Sequence, residues 1–142
     1  MPEQFALDVD ARLESLPRLR GFVEDACAQV RADAAATFAL KLAVDEACTN
    51  IIVHAPPAGE PIRITLQATD GRVIVTVRDH TTAFDPADAP PPDLTSALPE
   101  RRTGGLGWYL VFKKMDEVHY QSDPVEGNVL TLVKRLAPAR ET

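Results

Sequence analysis

The stretch from Ile62 to Arg78 constrains the fold more than any other part of the chain. Ile62, Ile64 and Leu66 alternate with Arg63, Thr65 and Gln67. Beyond Asp70-Gly71, Val73, Val75 and Val77 alternate with Ile74, Thr76 and Arg78. Period-two patterning places one set of side chains on a single face of each strand. Asp-Gly supplies the positive φ that a tight hairpin turn demands. A hairpin with one apolar face must be covered, and segments of helical period lie before and after it.

Leu16, Leu19, Phe22, Val23, Ala26, Cys27 and Val30 recur at three- and four-residue steps, which predicts a helix from about Ser15. Ser15 is the expected N-cap, with Pro17 in the first turn where a missing N–H costs nothing. A second helix is expected from about Ala35 to His54, carrying Phe38, Leu42, Ala43, Ala47, Ile51 and Ile52. It must stop before Pro56-Pro57, because proline pushes its predecessor out of the α region. Phe5, Leu7 and Val9 alternate as an edge strand. A third helix over about Gly107 to Met115 leads to a strand at Val118 to Gln121, a turn at Asp123 to Asn128 and a last strand from Val129 to Leu136. This order predicts an α+β two-layer sandwich. Its sheet is mixed, mostly antiparallel and of about five strands, covered on one face by about three helices.

At 142 residues the chain is expected to form one domain, 1–142. The net charge of −6 argues against sequence-independent nucleic-acid binding, which needs a basic surface. No apolar run is long enough to span a membrane, and the first residues, Met1-Pro2-Glu3-Gln4, lack the pattern of a signal peptide. A cytoplasmic location is expected. Cys27 and Cys48 sit in apolar helical patterns without metal-ligand spacing, and read as buried reduced thiols. His54, His80 and His119 show neither triad nor metal spacing. From Pro86 to Thr103 the chain carries Pro86, Pro90, Pro91, Pro92 and Pro99 and no period. A loop of that length in a compact domain is usually functional or disordered, and 86–103 is expected to be a mobile lid.

Three features carry chemistry. Glu46 and Asn50 stand four apart, hence one above the other on one helix face, among small and apolar neighbours. An amide oxygen is a hard ligand for Mg²⁺, and a carboxylate beside it can deprotonate a hydroxyl. Asp79 ends the hairpin's second strand, where a carboxylate suits the amino group of adenine; Phe84 follows as a pocket wall or a core residue. Finally, Gly104, Gly105, Leu106 and Gly107 run into the third helix. Such a loop is often only a helix entry, but free N–H groups at a helix start also suit phosphate.

Glu46-Ala-Cys-Thr-Asn50 with Ile-Ile-Val-His54-Ala55 resembles the N box of the Bergerat-type (GHKL) ATPases, and more narrowly that of the anti-sigma-factor serine kinases. Asp79 to Pro86 resembles the first glycine box and Gly104 to Gly107 the second. Phe112 to Val118 and Gly127 to Leu132 also resemble the family's later pattern, so the likeness covers essentially the whole chain in order. It implies ATP and Mg²⁺ as cofactors. Glu46 would be the catalytic base facing a substrate serine, and Asn50 would hold the metal. Asp79 would bind adenine, Gly104, Gly105, Leu106 and Gly107 would wrap the phosphates, and Thr131 is a further candidate at the adenine end. The implied function is that of an anti-sigma regulatory factor, which sequesters a sigma factor and phosphorylates an anti-sigma-factor antagonist; a homodimer is also compatible. One departure stands out: Thr81 occupies the third position of the first box, where the family has Gly. A β-branched residue there is expected to crowd the base or shift the loop. That favours an alternative, a nucleotide-bound switch that sequesters a partner without phosphoryl transfer.

Overall fold

The computed structural model describes residues 3–54, 59–81 and 105–137, with Gly105 and Leu106 described by their backbone. Five strands form one sheet: β1 (Glu3–Val9), β2 (Ile62–Thr69), β3 (Arg72–Asp79), β4 (Glu117–Asp123) and β5 (Gly127–Arg135). Their spatial order is β1-β2-β3-β5-β4. Three helices accompany them: α1 (Leu16–Gln29), α2 (Ala34–His54) and α3 (Gly105–Lys114). All four strand pairings are antiparallel, so the sheet is not mixed. β1 is an edge strand, as its short alternating pattern suggests.

The β2–β3 hairpin forms as its sequence dictates. Asp70 and Gly71 adopt φ of 52° and 73°, and the register runs from Arg63 opposite Arg78 to Thr69 opposite Arg72. The inward set Ile62, Ile64, Leu66, Val73, Val75 and Val77 is fully buried against Leu19, Val23, Leu40, Ala43 and Val44 of α1 and α2. Burying side chains of this size contributes about 1.5–3 kcal/mol each. On the opposite face the Thr65 and Thr76 hydroxyls hydrogen-bond across the strands.

Helix α2 is the central helix. Its buried side is built largely of small residues (Ala36, Ala39, Ala43, Ala47), which lets neighbouring backbone approach. Its start is fixed by Asp33, whose carboxylate accepts from the Ala36 N–H at 3.3 Å and from the Ala137 N–H at 3.1 Å. Two local expectations fail. A 3₁₀ turn at Leu13–Ser15 leads into α1, and Ser15, in helical conformation, makes no side-chain cap. Its hydroxyl instead donates to the Asp10 carbonyl at 2.7 Å. Phe38 is 59% exposed, with the Lys114 ammonium 5.3 Å from its ring centre. No described helix is long and apolar enough to cross a membrane.

Candidate functional site

A small, partly open cleft lies between α2, the start of α3, the end of β3 and the neighbouring strands β4 and β5. Its lining includes Asn50, Ile51 and His54 from α2, Asp79 and Thr81 at the end of β3, Trp108 from α3, Tyr120 from the edge strand β4, and Asn128 and Leu130 from β5.

Asp79 is the best-determined group in the cleft. It is 6% exposed, so its charge requires partners. Its Oδ1 takes three donors: the Thr81 N–H at 2.9 Å, the Thr81 hydroxyl at 2.6 Å and the Asn128 Nδ2 at 3.0 Å. None of the described residues donates to Oδ2. The Thr81 hydroxyl therefore turns back onto Asp79 and supplies a donor that glycine lacks. Asn128, 4% exposed, also donates to the Thr81 carbonyl at 2.9 Å and accepts from the Ser122 hydroxyl at 2.8 Å.

Asn50 lines the cleft, and none of the described residues bonds its side chain. Its carbonyl lies 2.9 Å from His54 Nδ1, which places His54, a residue with no assigned role, at the cleft wall. Glu46 stands one turn earlier on the same helix, beside the cleft and outside its lining. Its carboxylate packs against Gly107 so closely that a Cβ at that position would overlap it. The glycine thus lets α3 begin against a carboxylate. Burial pushes the Glu46 carboxyl above the ordinary carboxylate range, and the adjacent Asp45 charge adds to the shift. A base with raised proton affinity is better matched to taking a proton near neutral pH.

Gly105 and Gly107 fall in the first turn of α3, with Leu106 between them. Gly104, Phe84 and the proposed lid at 86–103 lie outside the described residues. Thr131 is not brought to the cleft. It sits opposite Thr76 and His119 in the register, on the sheet face away from the helices, while its neighbours Leu130 and Leu132 point inward. The residue that sequence reasoning missed is Asn128, three positions earlier and directly opposite Asp79. Its signal is a side-chain amide just after Gly127, at the mouth of a hairpin turn.

The donor set suits an aminopurine nucleotide with its metal. Asp79 offers an acceptor inside a cleft, and Asn50 offers an amide that none of the described residues engages. No cluster of three or more His, Cys, Asp or Glu among the described residues could hold a metal alone. Cys48 is fully buried, and burial drives its thiol pKa far upward, as expected for an inert packing residue.

Comparison with known proteins agrees with this geometry. Over 104 residues the chain is 38% identical to the serine/threonine-protein kinase BtrW of Bordetella bronchiseptica, covering 71% of this chain and 72% of that one. It is 29% identical over 104 residues to an anti-sigma F factor of Pasteuria penetrans, covering 71% and 69%. A crystal structure of the RsbU and RsbW domains of a Mycobacterium tuberculosis protein superposes with a TM-score of 0.69 at 18% identity. That match covers 99% of this chain and 34% of the longer one, and speaks for the fold. Residues 9–134 match the family profile of the histidine kinase-like ATPase domain. With its sheet, its central helix and its Asp79 cleft, the chain belongs to the histidine kinase-like ATPase domain family.

Proposed function

We propose that this chain is an ATP-dependent protein serine/threonine kinase and anti-sigma regulatory factor, which sequesters a sigma factor and phosphorylates a serine on an anti-sigma-factor antagonist. Membership of an ATPase family implies ATP binding, and the relatives named above are a kinase and an anti-sigma factor. The observation that carries the reading is that one cleft joins Asp79 of β3 to Asn50 of α2, with Glu46 one helical turn before Asn50 and beside it.

Asp79 accepts the exocyclic amine of adenine while Oδ1 stays bound by its three donors. Asn50 would hold Mg²⁺, which would supply neutralisation of phosphate charge when bound. The first turn of α3, with Gly105, Leu106 and Gly107, lies along the phosphates. Glu46 removes the proton from the substrate serine hydroxyl. In phosphoryl transfer most of the catalysis is positioning and charge neutralisation, which these groups supply from a rigid helix and a sheet edge. The function is carried by one domain, acts in the cytoplasm, needs no nucleic acid, and is compatible with a homodimer.

Incubation of the full chain with radiolabelled ATP, Mg²⁺ and its antagonist protein tests the reading. Label on a serine of the antagonist is expected. ATP binding without transfer would leave a nucleotide-dependent sequestering module instead.

A further inference from the structure

Ser122, Asn128 and Asp79 form one cross-strand row. Ser122 of β4 stands opposite Asn128 of β5, which stands opposite Asp79 of β3. The row is set by the turn that precedes it, where the Asp123 carboxylate accepts from the N–H groups of Val125 and Glu126 at 2.7 and 3.0 Å. Ser122 is exposed, lies on an edge strand and does not line the cleft. Its hydroxyl nevertheless donates to Asn128 Oδ1 at 2.8 Å, and Asn128 Nδ2 donates in turn to Asp79 Oδ1 at 3.0 Å.

We infer that Ser122 is a positioning residue for base selection, acting on Asp79 through the Asn128 amide. This inference rests on the nucleotide reading of the cleft. Asn128 has four hydrogen-bonding positions in a nearly water-free place, and Ser122 satisfies the oxygen end. Without that donor, a buried amide oxygen is left unpaired, a penalty large enough to rotate the side chain toward water. Rotation withdraws Nδ2 from both Asp79 Oδ1 and the Thr81 carbonyl. Asp79 then keeps only the two donors of Thr81, and its second oxygen is no longer held at one angle toward the base. Bonds in a row also polarise one another, so the Ser122 hydroxyl strengthens the amide as a donor. The ligand property that reads this arrangement is an amino group on the purine.

The test is a titration of the full chain with two nucleotides, ATP and purine riboside triphosphate, which lacks only the 6-amino group. Wild-type protein is expected to prefer ATP. Ser122→Ala should narrow that preference by about threefold to tenfold, the usual worth of one hydrogen bond, while Ser122→Thr should restore it. Because the two ligands share their phosphates and sugar, general loosening of the sheet would weaken both equally and leave the ratio untouched. An unchanged ratio in Ser122→Ala, with ATP still bound, overturns the relay alone. Failure of wild-type protein to bind ATP at all removes the nucleotide reading and the relay with it.

Discussion

Two carboxylates at the cleft, Asp79 inside it and Glu46 beside it, sit in opposite environments. One oxygen of Asp79 accepts three hydrogen bonds, and the amide behind it is itself bonded on both sides. The Glu46 carboxylate rests against a glycine, and burial raises its proton affinity. A saturated network rigidifies the group it surrounds. Burial disfavours the charged form of a carboxylate and so strengthens its hold on a proton. In the proposed function, recognition and chemistry use the same functional group in two environments.

The strongest way to break this contrast is Glu46→Gln. Transfer to the antagonist should fall by about a hundred- to ten-thousandfold, the usual range for a general base, while ATP affinity stays near wild type in calorimetry. A parallel loss of both would make Glu46 part of the binding machinery. Asp79→Asn should act the other way. It sets an amide N–H against donors from Thr81 and Asn128, and ATP affinity should fall about ten- to hundredfold, as for a lost charge-assisted bond. Retained affinity for ATP would move base recognition elsewhere.

Gly107→Ala sharpens the comparison at smaller amplitude. The added methyl meets the far end of a flexible side chain, so Glu46 swings aside at little cost. Alanine gains up to about 1 kcal/mol in a helix, so thermal stability should hold. Transfer should still drop about tenfold through the displaced base, in the range of a modest misplacement. The smallest effect concerns pH. A carboxyl whose folded pKa is raised stabilises the fold below its unfolded pKa and loses that contribution as pH rises through the folded value. Transfer should accordingly rise with pH through a point above the ordinary carboxylate range. The melting temperature of Glu46→Gln should equal or slightly exceed wild type at pH 7 and converge with it in acid.

Much of this was legible in the sequence because it depends on period and on neighbours. The β2–β3 alternation, the Asp70-Gly71 turn and the four-residue spacing of Glu46 and Asn50 each specify geometry locally. The adenine-side partner was not legible in the same way. Thr131 and Asn128 are three apart on one strand, so they face opposite sides, and only the β3–β5 register reveals which one meets Asp79. Ser15 failed as a cap because the chain enters α1 through a 3₁₀ turn, in which the hydroxyl finds Asp10 first. Phe38 fits the apolar period of α2 yet stays more than half exposed, with only the Lys114 ammonium of α3 over its ring among the described residues' ring contacts, a matter decided by tertiary placement alone.

Asp79 and Asn128 are 49 residues apart in the chain. The β2–β3 and β4–β5 hairpins close short loops and need little searching, whereas joining β3 to β5 must overcome the entropy of a long closure. The row from Ser122 to Asp79 is therefore complete only once the two hairpins have docked. A nucleotide that grips this row has nothing to hold in the transition ensemble if docking comes late. Its stabilising effect should then appear as slower unfolding with an unchanged folding limb, so that ligand acts as a latch on the finished sheet and not as a template for it.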